Sequence, residues 1–241
     1  MPMQNEVNRF NQPLGQRVEN WQGATPLQPT VMQGHYCRLE PLNPDVHAHA
    51  LYQANSADDG SMWTYLPYGA FDSFQDYQQW LAQFCMGRDP LFYAVVDQAS
   101  QQPIGLASYM RIDPSNGAVE VGHLAYSPLL RGTVMATEAM FLMMKNAFEL
   151  GYRRYEWKCN ALNLPSRQAA LRLGFSFEGV FRQAMVNKGR NRDTAWYSIL
   201  DTEWPALQQA LTQWLLPQNF DAAGKQLSRL SSLTAQLKKS V

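Results

Sequence analysis

The sequence predicts an α/β (α+β) fold, a mixed and mostly antiparallel twisted sheet of about seven strands with a central parallel crossover and flanking helices. Residues 118 to 126 alternate small or apolar residues with Glu120 and Gly122, the period-two pattern of a strand. Apolar residues then recur at helical spacing from Met135 to Leu150. Another strand follows at Tyr155 to Ala161, so this strand, helix and strand predict a right-handed parallel crossover.

The amino-terminal part of the domain contains one predicted strand and two predicted helices. His35 to Leu42 alternates well enough for a first strand. Asn43-Pro44-Asp45 then caps a helix over His47 to Ala57. Ser61 to Phe71 is a loop dense in aromatic residues, and a second amphipathic helix covers Phe74 to Met86.

The remaining strands are predicted to pair antiparallel, because short turn segments join them. They are Leu91 to Asp97 with Pro103 to Ile112, and Phe175 to Val186 with Thr194 to Leu200. Asn187 to Asp193 joins the second pair, and a short helix at Leu164 to Leu173 precedes it. The sheet is therefore expected to be antiparallel outside the central crossover.

Two further segments flank this domain, which we place at residues 35–200. Residues 1–34 are rich in Gln, Asn, Pro and Gly, so we expect an extension that lies on the domain or is partly disordered, with Trp21 as an anchor. Residues 201–241 carry two amphipathic helical stripes, one of them from Trp204 to Leu215. This helical appendage either packs on the domain or presents a face to a partner.

Composition excludes several classes of function. The 241 residues contain 20 Lys+Arg and 20 Asp+Glu, so no overall charge favours nucleic acid or an anionic membrane as a partner. Three cysteines and four scattered histidines lack the spacing of a disulfide framework or a metal site. The chain has neither an apolar signal segment nor a run of about 20 apolar residues, so a cytoplasmic protein is expected.

The junction between the central strand and its helix, Leu129 to Ala139, is a candidate anion site. The first N–H groups of a helix have no internal partner and carry the positive end of its dipole, which suits a phosphate. No GxGxxG motif is present, so a dinucleotide-binding turn is not indicated. The alternative is a plain connection between a strand and a helix.

The same junction carries a resemblance to a known family. Arg131-Gly132-Thr133-Val134-Met135-Ala136 resembles the Gln/Arg-x-x-Gly-x-Gly/Ala signature of the GNAT superfamily of acyl-CoA-dependent N-acetyltransferases, with Val134 in place of the first glycine. Thr137-Glu138-Ala139 looks like the RimJ/RimL branch. A second block, Asn160 to Gly179, resembles the Asn-x-x-Ser and Leu-Gly-Phe pattern of that branch. The resemblance extends roughly from Tyr36 to Leu200 and implies a GNAT-like fold.

The resemblance implies acetyl-CoA as co-substrate and assigns residues to bind it. Backbone N–H groups of Arg131, Gly132, Thr133, Val134, Met135 and Ala136 would cradle its pyrophosphate. Strand backbone at Leu124, Ala125 and Tyr126 would contact the pantetheine arm, and the Asn163 side chain would reach the same arm. Asn163 and Ser166 also suit a helix cap, which is the alternative reading of both.

Two residues are implied to be catalytic. Ser166 would lie near the thioester sulfur as a proton donor, since Ala170 occupies the position at which many members have Tyr. Glu120 would lie beside the acceptor and take a proton from its ammonium group. The alternation places Glu120 on the face opposite Val119, Val121 and Ala125, where it either is solvated or lines a cleft.

The implied reaction is direct attack of a primary amine on acetyl-CoA in a ternary complex. RimJ/RimL relatives modify protein N-terminal amines, whereas other members modify polyamines or antibiotics. A protein that binds acyl-CoA without catalysing a reaction is a second possibility. The sequence is also compatible with a homodimer. Lys188, Arg190 and Arg192 form either a solvated turn or a contact for an acidic partner. A cation-accepting mouth is predicted from Asp58, Trp63, Tyr65 and Tyr68, whose aromatic members could instead be core residues.

Overall fold

The computed structural model describes residues 6–237, so the ends of the predicted extension and appendage, residues 1–5 and 238–241, lie outside the described part. The strands are β1 (Met32–Gln33), β2 (Cys37–Pro41), β3 (Leu91–Asp97), β4 (Pro103–Asp113), β5 (Ala118–Tyr126), β6 (Arg154–Asn160), β7 (Ser176–Asn187) and β8 (Arg190–Leu200). The helices are α1 (Pro44–Asn55), α2 (Phe74–Phe84), α3 (Val134–Glu149), α4 (Leu164–Arg172), α5 (Trp204–Trp214) and α6 (Leu230–Leu237), with short 3-10 turns at Ser61–Trp63 and Pro217–Asn219.

The described strands form one eight-stranded sheet in the order β1-β2-β3-β4-β5-β6-β8-β7. β5 and β6 pair parallel, and the other neighbours pair antiparallel. The predicted mixed sheet with a central parallel crossover is therefore confirmed. All seven predicted strands are present, and the additional strand β1 has only two residues, which leave no periodic signal in the sequence.

Two boundaries differ from the prediction for reasons visible in the backbone. The link between β7 and β8 is a tight turn at Lys188 and Gly189, which have φ values of 48° and 71°, so β8 begins at Arg190 rather than at Thr194. α1 begins at Pro44 because the Asn43 side chain accepts a hydrogen bond from the Asp45 N–H.

The sheet opens between β5 and β6. Their pairing ends at Val121 and Trp157, although β6 remains paired with β8 as far as Asn160. A bulge at His123, with φ 51°, shifts the register of β5 against β4 near this point. The edge of β5 that faces β6 is therefore unpaired beyond Val121, and a wedge separates the two strands.

The bulge also corrects the predicted facing of one residue. Val119 and Val121 pack in the core beneath α3, as alternation predicts, but Ala125 packs in the opposite core beneath α1 and α2. An inserted residue reverses the alternation of side chains beyond it. Ala125 is thus on the same face as Glu120, contrary to the prediction.

The flanking segments contribute to the main core. Ala24, Leu27 and Met32 of the extension are buried in the cluster that surrounds α3, and Trp21 Nε1 donates to the Ser115 carbonyl at 2.8 Å. α5 and α6 add buried apolar side chains to the same cluster: Trp204, Leu207, Leu211, Trp214 and Leu230. Across residues 6–237, no helix combines the length and apolar character needed to cross a membrane.

Candidate active site

A cavity of about 400 Å³ lies at the wedge between β5 and β6. Its floor consists of β5, β6 and β8, and its walls include residues 62 and 65–67 and the end of β7. Glu120, Asn163 and Ser166 all line it, so the fold brings together residues that are up to 46 positions apart in the sequence. The cavity is therefore the candidate active site.

Glu120 lines this cleft and is not solvated, since its side chain is only 3% exposed. Its Oε2 accepts hydrogen bonds from Arg111 Nη1 at 2.6 Å and from Lys158 Nζ at 2.9 Å. No described residue donates to Oε1. The two cations thus hold one carboxylate oxygen, and the other is available to a ligand in the cavity.

A charge network extends from Glu120 across the sheet. Lys158 Nζ also contacts Glu156 at 2.7 Å and lies 3.7 Å from the centre of the Trp196 ring. Arg154 contacts both Glu156 and Glu178 at 2.6 Å. Sequence reasoning missed Arg111 and Lys158, although the polar positions Glu156, Lys158 and Asn160 alternate along β6 and signal a polar face.

Asn163 and Ser166 occupy the first turn of α4. Asn163 Oδ1 accepts from the Ser166 N–H at 3.1 Å, the cap that the sequence predicts. Ser166 Oγ accepts from Trp157 Nε1 at 3.0 Å, so its own hydrogen can be donated either to the neighbouring Cys159 sulfur or into the cavity. Ala170, one turn later, is fully buried and offers no hydroxyl.

His123 at the bulge is a second titratable group in the cavity. Its Nδ1 shares a hydrogen bond of 3.1 Å with Tyr68 Oη, and its ring stacks on Tyr68 with centres 5.6 Å apart. Burial, together with the positive charges of Arg111 and Arg192, lowers the pKa of His123 to about 4. The imidazole is therefore neutral at neutral pH.

The turn before α3 offers backbone N–H groups to an anion. Among the six predicted N–H groups, those of Arg131, Thr133 and Ala136 bond to Ser127 O, Leu130 O and Thr133 Oγ1, respectively. The N–H groups of Gly132, Val134 and Met135 have no partner among the described residues. Gly132 adopts φ 80°, which favours glycine, whereas Val134 is the first helical residue and needs no glycine. The free N–H groups and the helix dipole fit a phosphate.

Leu124 also lines the cavity, whereas Ala125 and Tyr126 pair with β4 on one side and present unpaired backbone toward β6 on the other.

Of the residues predicted to form the acceptor mouth, Tyr65 lines the cavity, and its hydroxyl donates to the Leu162 carbonyl at 3.2 Å. Trp63 is buried in the core beneath α1 and α2, which is the alternative that the sequence left open. Tyr68 lies behind His123 and does not line the cavity.

The structure does not bring Asp58 into the cavity. Its side chain is 2% exposed and accepts from the N–H groups of Gly60 and Met62, each at 2.9 Å. Arg131 Nη2 also contacts it at 3.2 Å. Asp58 thus connects the aromatic loop to the turn before α3 through these contacts, and its carboxylate is not free to bind a substrate.

The hairpin turn between β7 and β8 is fastened to the same loop. Lys188 Nζ donates to the carbonyls of Trp63, Tyr68 and Gly69 at 2.8, 3.2 and 3.1 Å. Lys188 is an exposed turn residue, but its ammonium group is held by these carbonyls and is not free to contact an acidic partner. The hairpin and the aromatic loop together cover one side of the cavity.

Comparison with known proteins agrees with this geometry. The family described as the acetyltransferase (GNAT) domain matches residues 37–176, more than half of the chain. This chain belongs to the GNAT acetyltransferase family. Members of that family transfer the acetyl group of acetyl-CoA, and the wedge, the free N–H groups and the cavity of this chain fit that co-substrate.

Two solved structures of GNAT acetyltransferases are similar over most of their length. A GCN5-related N-acetyltransferase from Brucella melitensis is 47% identical with a TM-score of 0.88, and the match covers 90% of this chain and 100% of that one. A probable acetyltransferase of the GNAT family from Chromobacterium violaceum is 43% identical with a TM-score of 0.76, covering 80% and 98%.

A curated relative is similar over a shorter region. The ribosomal-protein-serine acetyltransferase of Escherichia coli is 35% identical over 103 residues, which cover 42% of this chain and 56% of that protein. The chain thus matches little more than half the length of this relative.

Within residues 6–237 of the GNAT acetyltransferase, no three His, Cys, Asp or Glu side chains lie close enough together to hold a metal ion.

Proposed function

We propose that this GNAT acetyltransferase acetylates the N-terminal amine of a protein or peptide, by direct attack within a ternary complex. The observation that carries the proposal is Glu120, whose Oε2 is held by two cations and whose Oε1 has no partner among the described residues. A fixed carboxylate with one free oxygen, in a cavity that opens beside the cofactor wedge, suits proton transfer from an ammonium group.

Acetyl-CoA supplies the acetyl group as an activated thioester. We assign its pyrophosphate to the free N–H groups of Gly132, Val134 and Met135 at the start of α3, where the helix dipole also favours an anion. The unpaired edge of β5 from Gly122 to Tyr126 offers backbone groups to the pantetheine amides. Asn163 lines the cavity beside that edge.

The proton path runs between two residues of the cavity. Glu120 Oε1 accepts a proton from the acceptor ammonium, directly or through one water, and so frees the nitrogen lone pair for attack. The Ser166 Oγ accepts from Trp157, so its hydroxyl hydrogen can be donated to the departing sulfur as the C–S bond breaks. The proton that the nitrogen loses after its attack restores the serine hydroxyl. Holding both substrates in one cavity also lowers the entropic part of the activation barrier, which increases the rate further.

Two observations favour a peptide as acceptor. Phe181, Met185 and Val186 are exposed apolar residues of β7 that also line the cavity, so the mouth can accommodate the residues that follow an N-terminal amine. Arg192 lines the same cavity without an ion pair among residues 6–237, and its positive charge disfavours a polycation such as a polyamine or an aminoglycoside. The Escherichia coli relative is named for a protein substrate, in keeping with the RimJ/RimL-like branch.

A thiol-release assay tests the proposal. The enzyme is incubated with acetyl-CoA and each of a panel of peptides with free N-termini, the same peptides with blocked N-termini, polyamines and aminoglycosides. Thiol release is expected with the free peptides and not with their blocked forms. Release with polyamines or aminoglycosides alone would assign the enzyme to small-molecule amines, and binding without release in every arm would indicate a non-catalytic protein.

A further inference from the structure

Arg192 is a cation of the cavity that the proposed mechanism does not use. It lies on β8, on the same face as Thr194 and Trp196, and it lines the cavity with them. Its Nε is buried and has no hydrogen-bond partner, and its guanidinium forms no ion pair with any residue among 6–237. Burial lowers the pKa of Arg192, since a cation loses hydration there.

The other charges around the cavity balance one another. Arg111 and Lys158 contact Glu120, Lys158 contacts Glu156, and Arg154 joins Glu156 to Glu178. Three cations thus meet three carboxylates in one network. Arg192 makes no direct ion pair with this network, although the charge of Glu120 acts on it at longer range. A half-buried cation without a directly paired anion is a costly arrangement unless a ligand provides one.

Acetyl-CoA does not provide that anion at this position. Its phosphates belong at the turn before α3, and no residue of that turn lines the cavity. The pantetheine arm and the acetyl group, which enter along the wedge, carry no charge. The anion must therefore come from the acceptor.

We propose that Arg192 binds a carboxylate of the acceptor, so that the acceptor is an amine with a carboxylate within a few bonds of the reacting nitrogen. This inference rests on the proposed function. The acceptor is then a protein or peptide whose first residue is Asp or Glu, so that its side chain reaches Arg192 while its amine reaches Glu120. A free amino acid carries the same chemistry in its α-carboxylate. A guanidinium can bind either carboxylate through two parallel hydrogen bonds.

The experiment compares acceptors that differ only in charge. Peptides beginning with Asp or Asn, and with Glu or Gln, form two pairs, and alanine with alanine amide forms a third. Wild-type enzyme, Arg192→Gln and Arg192→Lys are assayed for kcat/KM with each member and for the KM of acetyl-CoA. Arg190→Gln is the matched control, because Arg190 is an exposed arginine of the same strand and does not line the cavity. Circular dichroism confirms that each variant is folded.

Wild type and Arg190→Gln are expected to prefer the acidic peptide of each pair by about tenfold or more. Arg192→Gln should reduce that preference to about twofold or less, Arg192→Lys should retain part of it, and neither should alter the KM of acetyl-CoA. Equal rates within the wild-type pairs, a preference that survives Arg192→Gln, or a raised KM for acetyl-CoA in that variant would each overturn the inference.

The outcomes also separate this inference from the proposed function. Acetylation of peptides without a charge preference contradicts only the role of Arg192. Acetylation of alanine in preference to alanine amide, with every peptide inert, contradicts the peptide acceptor and supports the role of Arg192. Failure to acetylate any member of either panel contradicts both.

Discussion

Glu120 is buried on β5, and its Oε2 is held by Arg111 of one neighbouring strand and by Lys158 of the other. Alternation along β5 and the family resemblance both select this carboxylate. Arg111 and Lys158 could not be predicted as its partners, because one lies on the antiparallel neighbour β4 and the other on the parallel neighbour β6. Those contacts depend on strand register, which a single sequence does not specify.

Replacing Glu120 by Gln removes the proposed proton acceptor and keeps the shape of the side chain. We expect kcat/KM for the acceptor to fall by about a hundredfold at neutral pH, and to recover partly as pH rises and more of the amine is already deprotonated. The KM of acetyl-CoA should change little. Glu178→Gln is the matched control, since Glu178 belongs to the same charge network but does not line the cavity. An unchanged pH–rate profile in Glu120→Gln would place the base elsewhere.

His123 makes stability depend on pH. Its folded pKa of about 4 lies below the ordinary value of 6.5, so the unfolded chain binds more protons between these values. The free energy of unfolding therefore rises with pH through this window, by about 3 kcal/mol, and the stabilisation is fully present above pH 6.5. Denaturant titrations at pH 4.5 and 7 should show a smaller pH dependence for His123→Gln than for wild type. His49→Gln, a variant of an exposed histidine, serves as the control. If the free energy of unfolding changes equally with pH in all three proteins, His123 is not the source of the pH dependence.

At the scale of elements, sequence patterns predicted most strands, helices and caps but missed the features that form the site. The side chains of Asn43, Ser73, Thr133 and Asn163 all cap helices, and each is a residue type that favours this position. Simple alternation along β5 does not predict the bulge, although His123 and Leu124 do break the pattern, with a polar residue where Val119 and Val121 predict an apolar one. Without the bulge, neither the wedge nor the reversal at Ala125 can be inferred.

The turn before α3 can be tested through its one left-handed residue. Gly132 has φ 80° and open space where a Cβ would lie, so Gly132→Ala should strain only the backbone, at about 1 kcal/mol. We expect the turn to relax and acetyl-CoA to bind about fivefold or more weakly by calorimetry. Gly224→Ala is the matched control, with φ 74° and similarly open space in the carboxy-terminal segment. Equal affinity in both variants would show that the turn does not bind the co-substrate.

For the whole molecule, the segments that flank the predicted domain share its core. The sequence left the appendage as either a packing element or a partner face, because an apolar stripe does not reveal what covers it. In the structure Leu230 is 1% exposed, and Trp214 Nε1 bonds to Gln226 and to the Ser228 carbonyl. The identity of the acceptor could not be predicted, since it depends on cavity residues gathered from distant strands.

Truncation after Pro217 tests what the appendage does. It removes α6 and the partners of Trp214, so the free energy of unfolding should fall by about 3 kcal/mol or more. The acceptor panel should stay the same, since no residue beyond Trp196 lines the cavity among those that the structure describes. Truncation after Leu237, which removes only the last four residues, is the control. A changed acceptor preference after the longer truncation would instead support a partner face.

The central claim is that the amine placed beside Glu120 is a peptide N-terminus. The most direct test uses a peptide with a free N-terminal Asp and one internal Lys, incubated with enzyme and acetyl-CoA and then sequenced by tandem mass spectrometry. One acetyl group is expected on the α-amine, with the Lys side chain unmodified, and the modification should fall about a hundredfold with Glu120→Gln. Acetyl groups on the Lys side chain, or none on the peptide while a small amine is acetylated, would contradict the account.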